Sequence, residues 1–253
     1  MASKTDSVIV IKRMRTETTQ VGLIGVSPYI SHRNSETSMK ELTYPRKGDA
    51  AKRDLLKHDP HVEFLESLYL LDDAPTLCGV PATAIKGAMM TAALDEEAVY
   101  KTTIGRLVWV ENSLIPLYGI PVLGYDIVRQ SGRTGAPDSR FRAFFMEWAV
   151  KVEITFQVPR LNVQQVMNLL ESGGARSGLG DWRPEKAGDY GRFRVVDMHD
   201  PDFVRICESG QREAQAVALE KISYRDSESR SFVEWFYAEV ERRGDSAMLW
   251  RPR

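Results

Sequence analysis

The sequence predicts an α+β fold, and three observations predict it. Trp148, Val150, Val152, Ile154 and Phe156 alternate with Glu147, Ala149, Lys151, Glu153 and Thr155, the period-two pattern of a half-buried strand. Asn162 then caps a helix, with Gln165 placed for a capping box and Val163, Val166, Met167 and Leu170 on one face; Gly173 is expected to stop it. Beyond a glycine-rich stretch, Gly191 to Val196 reads as another strand. Strand, helix, loop and strand with one solvated sheet face form the second half of a ferredoxin-like or RRM-like unit.

The remaining elements follow in chain order. Ser7 to Arg15 holds the β-branched run Val8-Ile9-Val10-Ile11 and reads as a buried strand whose far end emerges into solvent. From Thr16 to about Pro60 no period is sustained, and a long loop is expected; loops of this length in a compact domain are usually functional. Val62, Leu65, Leu68 and Tyr69 give helical spacing over His61–Leu71, with Asp59 as the N-cap. A second helix is expected from Pro81 to Leu94 on the stripe Ala84, Ile85, Ala88, Met89 and Ala92. Short strands are expected around Arg106–Val110, Leu114–Tyr118 and Tyr125–Arg129. Residues 201–253 read as a C-terminal extension, helical over Glu213–Ile222, whose aromatics Phe232, Trp235, Phe236 and Tyr237 dock on the core or on a neighbouring subunit.

Composition excludes whole classes of function. The 253 residues carry 34 Lys and Arg against 35 Asp and Glu, a net charge of −1, which excludes a uniformly basic nucleic-acid coat. A hydrophobic content of 43% is enough to form a core and argues against a disordered acidic chain. Two cysteines, Cys78 and Cys207, are too few for a disulfide framework. The polar start Met1 to Asp6 has no apolar stretch of a secretory signal, and no run is long enough to span a membrane, so a cytoplasmic protein without a membrane partner is expected.

Charge is nevertheless segregated. The glycine-rich stretch from Gly173 to Gly191 has glycines at 173, 174, 178, 180, 188 and 191, and in and just after it Arg176, Arg183, Lys186, Arg192 and Arg194 interleave with Trp182 and Tyr190. Cations beside exposed aromatics pair phosphate charge with base stacking. The alternative for this stretch is a tight folded turn with Trp182 in the core and Arg183 paired to Asp181 or Glu185. A basic loop is expected over Arg129–Arg142, with Arg129, Arg133, Arg140 and Arg142 against Asp138 alone. Another lies between Lys40 and Lys57 and includes Arg46 and Lys47. Acidic residues gather in Asp59–Asp73 and Asp197–Glu208.

Signals for catalysis are absent. His58 and His61 with His32 and His199 invite a metal reading, but Pro60 and the lack of helix-spaced carboxylates favour a capping role for Asp59. No G-x-S-x-G or H-E-x-x-H pattern occurs. No cofactor, metal site or catalytic residue is assigned.

Two segments carry a family resemblance. Gly79-Val80-Pro81-Ala82-Thr83-Ala84-Ile85-Lys86-Gly87-Ala88 resembles the I-P-G-S-S-L-K-G segment of the RAMP superfamily, the RRM-derived subunits of CRISPR effector complexes. The Gly173–Gly191 stretch resembles that superfamily's C-terminal glycine-rich loop. Pro28 to Arg33, followed by the long basic loop, stands where the backbone subunit carries its RNA-contacting region and thumb. Ser7–Val196 is also similar to uncharacterised phage-encoded proteins sharing a Gly-x-Gly-Asp-Trp-Arg-Pro-Glu-Lys loop. Val80-Pro81-Ala82-Thr83 departs from the motif's glycine and serine, and Trp182–Lys186 extends the loop.

The resemblance implies a modified RRM-like palm over residues 1–200 with a thumb-like loop inserted at about 16–60. It implies a non-catalytic protein that assembles head to tail along RNA or single-stranded DNA, as a homo-oligomer or filament or with other effector subunits. Phosphate contacts then fall to Lys86 and Arg176, joined by the loop residues His32, Arg33, Arg46, Lys47, Arg129, Arg133, Arg140, Arg142, Arg183, Lys186 and Arg192, with Trp182 and Tyr190 as stacking surfaces. The alternatives are a metal-dependent nuclease using His58 and His61, a nucleotide-processing enzyme using the glycine-rich loop, and a structural phage or mobile-element protein with protein partners only.

Overall fold

The computed structural model describes residues 13–34, 58–95, 99–129 and 137–243. In chain order the elements are β1 (Arg15–Gly25), β2 (Tyr29–Ile30), α1 (Pro60–Glu66), β3 (Tyr69–Leu70), β4 (Cys78–Pro81) and α2 (Ala82–Ala92). There follow α3 (Lys101–Leu107), β5 (Val108–Val110), β6 (Leu114–Tyr118), β7 (Pro121–Arg129), β8 (Pro137–Phe145), β9 (Ala149–Val158) and α4 (Val163–Arg176). The chain closes with β10 (Phe193–Val196), α5 (Pro201–Ser209), α6 (Arg212–Glu220) and α7 (Ser227–Arg243).

Connectivity defines the palm. The main sheet runs β10-β1-β9-β6-β4-β3, with β5 also on β9, and every pairing is antiparallel. Stripped of the run from β2 to β4, of α3, of β7 and β8 and of the helices after β10, the order of elements is strand β1, helix α2, the interrupted strand β5 and β6, strand β9, helix α4, strand β10. That is the β-α-β-β-α-β unit of the ferredoxin-like fold, with the first strand at the centre between the third and fourth. The fold is therefore α+β with a ferredoxin-like palm.

Local chemistry explains the palm's strongest elements. β9 buries Val150, Val152, Ile154 and Phe156 and turns Lys151, Glu153 and Thr155 outward. The Asn162 side chain accepts from Gln165 N–H and the Gln165 side chain accepts from Asn162 N–H, a complete capping box at the start of α4. Gly173 does not stop this helix, which runs on to Arg176. A Cβ at Gly173 would lie 2.9 Å from the Ala88 carbonyl carbon of α2, so the glycine serves helix-on-helix packing. The stop comes at Gly178, whose φ of +68° is left-handed and whose N–H bonds back to Gly173 O.

Among the described residues the first strand starts at Arg15, the last residue of the expected strand, and runs on to Gly25 through the segment read as the start of the loop, pairing with β9 from Arg15↔Val158 to Ile24↔Ala149. Residues 1–12, including the apolar run, lie outside the described residues. The exposed half of β1 is rich in threonine, which favours extended backbone without an apolar period. Thr18 and Thr155 hydroxyls meet across the pair at 2.8 Å. Farther along, Arg106 and Leu107 belong to α3, and the strand expected there is confined to Val108–Val110.

The inserted pieces build a second sheet, β2-β8-β7. Arg129–Arg142, expected as a flexible loop, contains the end of β7 and the start of β8, paired from Pro121↔Phe145 to Arg129↔Pro137. Helix α1 is capped by Asp59, which accepts from His61 and Val62 N–H, and it ends at Glu66. It closes the β8 edge with side-chain acceptors: Glu63 Oε2 takes the Phe141 N–H and Ser67 Oγ takes that of Ala143.

Residues after β10 pack on both layers. In α5, Phe203, Ile206 and Cys207 bury against Ile24, Tyr118, Ala149 and Val196 on the palm face opposite α2 and α4. Gln215 of α6 is fully buried; its oxygen accepts from Leu77 and Cys78 N–H, and its amide donates to Leu117 and Gly119 O. Ser229 of α7 accepts from Tyr125 N–H, Phe232 stacks on the Tyr125 ring at 4.4 Å, and Tyr237 OH donates to Asp59. Among the described residues no helix is long and apolar enough to cross a membrane.

Candidate nucleic-acid interface

The glycine-rich segment after α4 folds into a tight turn fixed on the chain between β1 and β2. Gly191 N–H donates to Pro28 O at 2.8 Å, Asp181 N–H to Ile30 O at 3.1 Å, Arg192 N–H to Ser27 Oγ at 3.0 Å, and Val26 N–H to Arg192 O at 2.7 Å. Leu179 is its buried anchor. Gly180, with φ of +77°, lets the backbone pass over Tyr29; a Cβ there would fall 2.6 Å from the ring.

This geometry presents Trp182 to solvent. Its φ of +49° is left-handed, uncommon for a bulky residue, and its N–H is held by Asp181 Oδ1 at 2.9 Å. The indole is 43% exposed and lies on the Tyr190 ring at 6.0 Å with a 20° tilt. An apolar core role for Trp182 is thus excluded, whereas the pairing of Arg183 with Glu185, at 2.8 Å, is present. The turn holds this backbone from both sides, with Tyr190 N–H donating to Trp182 O at 3.2 Å.

The cations divide into two groups. Arg142, expected as a flexible phosphate contact, is buried on β8 with its guanidinium bound to Asp126 Oδ2 at 3.0 Å and to Asp181 Oδ2. Asp126 also accepts from Arg225 Nη1 at 3.0 Å, so one ionic network joins β7, β8, the glycine-rich turn and the segment before α7. Arg140 pairs with Asp138 at 3.0 Å. By contrast, Arg33, Lys186 and Arg192 make no ion pair with a described carboxylate; Arg33 and Lys186 are exposed and Arg192 is half-buried. Arg176 is exposed at the end of α4, and Lys86 lies half-buried on α2. Arg129 closes β7, while Arg46, Lys47 and Arg133 lie outside the described residues.

His32 stands beside Asp181, Nδ1 to Oδ2 at 4.0 Å. Burial pushes its imidazole below the usual histidine range, Asp181 opposes this, and Arg142 and Arg140 add to it. It therefore offers a neutral hydrogen-bonding ring at neutral pH.

Behind the turn, Glu185 is ringed by polar groups. Arg183 donates to its Oε2 from Nη2 and Nε, at 2.8 and 3.1 Å; Ser177 Oγ and Thr91 Oγ1 each stand 3.5 Å from a carboxylate oxygen; Lys101 Nζ lies 3.4 Å from Thr91 Oγ1. Burial raises the Glu185 carboxyl, but the Arg183 hydrogen bond and charge, with Lys101 and Lys186, outweigh it and leave the group below the usual carboxylate range. Lys101 was invisible to sequence reasoning, because it belongs to no basic run.

His58 and His61 do not converge. The His58 ring bridges Glu63 Oε1, 2.5 Å from Nδ1, and Asp138 Oδ1, 3.2 Å from Nε2, on opposite sides of the imidazole; His61 packs on Tyr237 at 4.9 Å. Among the described residues no group of three or more His, Cys, Asp or Glu side chains is arranged to hold a metal. Two carboxylates each need an N–H, and only imidazolium has both. The Glu63 hydrogen bond raises the His58 pKa against the opposing effect of burial, helped by the charges of Glu63 and Asp138 and opposed by Arg140. A raised folded pKa adds stability below the ordinary histidine value of about 6.5 that is lost as pH rises through the raised value. Melts of wild type and His58→Gln across about pH 5.5 to about pH 9 are expected to converge with rising pH; a gap independent of pH contradicts the clamp.

No family model and no curated protein matches the sequence. Among solved structures, the chain is similar to one in "Cryo-EM structure of the Type III-B Cmr-beta bound to cognate target RNA", with a TM-score of 0.37 and 13% identity. The match covers 71% of this chain and 59% of that one, so the likeness spans less than two thirds of that chain's length. The palm assignment above rests on strand order and connectivity.

Proposed function

We propose that this protein binds single-stranded nucleic acid, RNA or ssDNA, without cleaving it, and that copies line the strand head to tail. The observation that carries the reading is the exposed Trp182, held in a left-handed conformation on Tyr190, in a turn that also carries Lys186 and Arg192 and is tied through its backbone to the chain over residues 26–30 that leads to Arg33; none of these three cations makes an ion pair with a described carboxylate. Stacking on an aromatic face tolerates any base, and cations beside it neutralise the backbone. The exposed acids Asp72, Asp73, Asp197, Asp202 and Glu208 supply a complementary surface for the next copy.

Trp182→Ala is expected to weaken binding of a labelled pyrimidine oligonucleotide about 5- to 100-fold, the loss of one base stack, without changing the fold. Anisotropy with RNA and DNA versions measures it; unchanged affinity removes Trp182 from the interface. Cleavage assays of the same strands with Mg²⁺, Mn²⁺ or Zn²⁺ are expected to yield no product. Electron microscopy with a long oligonucleotide is expected to show filaments or arcs, and discrete monomers contradict the head-to-tail assembly.

A further inference from the structure

We propose that the Glu185 carboxylate occupies a phosphate notch, standing in for one phosphate of the bound strand and giving way to it. The inference deepens the single-strand reading above and rests on it for the ligand. The notch is assembled from four places in the chain: Thr91 at the end of α2, Lys101 at the start of α3, Ser177 at the end of α4, and Arg183 with Lys186 in the turn. Among the described residues Arg183 pairs with this carboxylate, and the charges of Lys101 and Lys186 act on it from farther away.

The fit is uneven. Arg183 holds Glu185 closely, but the Ser177 and Thr91 hydroxyls stand 3.5 Å from its oxygens, beyond the ordinary reach of about 2.5–3.0 Å for O–H···O bonds. With Arg183 drawn onto Oε2, the carboxylate meets both hydroxyls only at 3.5 Å. A phosphate, with its tetrahedral spread of oxygens, can engage hydroxyls and cations on several sides at once. The Glu185 side chain is 30% exposed, which leaves it a path to swing into water. Displacement costs its Arg183 pair and returns a phosphate to the same donor, while Lys101 gains a partner of opposite charge.

Glu185 therefore lowers affinity and Lys101 raises it, which separates this role from a structural one. Oligonucleotide titrations by anisotropy are made on wild type, Glu185→Gln and Lys101→Ala. Glu185→Gln keeps an acceptor for Arg183 and is expected to bind about fivefold tighter with a salt slope steeper by about 0.7; Lys101→Ala is expected to bind about fivefold more weakly with a slope shallower by about 0.7. Wild-type binding with Glu185→Gln equal or weaker overturns the notch and leaves the single-strand reading standing. Inorganic pyrophosphate is titrated in parallel, read by thermal melting. Stabilisation of Glu185→Gln above wild type, lost on adding Lys101→Ala, supports the notch even if no oligonucleotide binds, an outcome that would overturn the single-strand reading alone. No preferential stabilisation of Glu185→Gln overturns the notch.

Discussion

Arg142→Ala is expected to destabilise the protein by about 3–5 kcal/mol, because it removes a buried guanidinium that ties Asp126 to Asp181 and leaves Asp181 without its cation beside the Asp126 carboxylate. The Arg142 side chain is 3% exposed and its guanidinium contacts both Asp126 and Asp181, which are 12% and 35% exposed. Arg225 also reaches Asp126 but not Asp181, so it cannot replace the bridge to the glycine-rich turn. In a chain of this length such a loss lowers the melting temperature by roughly 10 °C. Arg140→Ala is the control: Arg140 is 36% exposed and pairs only with Asp138, and its loss is expected to cost under about 1 kcal/mol. If the buried and exposed variants melt alike, the network is not what fixes the turn against β8.

The second large effect concerns binding. Arg33, Lys186 and Arg192 replaced together by alanine are expected to reduce the dependence of log affinity on log salt by about 2, at about 0.7 for each phosphate of a single strand that is no longer neutralised. Because none of the three makes an ion pair with a described carboxylate, each change is expected to shift folding stability by no more than about 0.5 kcal/mol. A parallel variant with Arg140→Ala and Arg205→Ala removes cations that are already neutralised, by Asp138 and by Glu147 with Asp202. It is expected to change the slope less. Equal slopes for the two variants would show that pairing within the chain does not decide which cations meet the strand.

The contrast between these variants explains how far the sequence could be read. Local patterns survived intact: the alternation ending at Phe156 became β9, Asn162 and Gln165 formed their capping box, and Asp59 capped α1. Each depends on neighbours within a few residues. Arg142 failed as a loop cation because its partners lie 16 and 39 residues away, beyond any local charge count. His58 likewise meets Asp138 only because the fold brings α1 to the β8 edge. Gly173 reads as a helix stop until α2 is seen passing against it. The turn itself was legible as glycines, cations and aromatics in one stretch, but its division into cations with and without a carboxylate partner was not.

The most direct measurement is affinity for a fluorescently labelled single-stranded pyrimidine oligonucleotide as a function of salt, from about 50 mM to about 300 mM. The proposed interface predicts binding that weakens linearly in log–log form, with a slope near −2 from Arg33, Lys186 and Arg192 and steeper with each further phosphate neutralised, at about 0.7 apiece. Absence of binding at the lowest salt, or an affinity that does not move with salt, would contradict it.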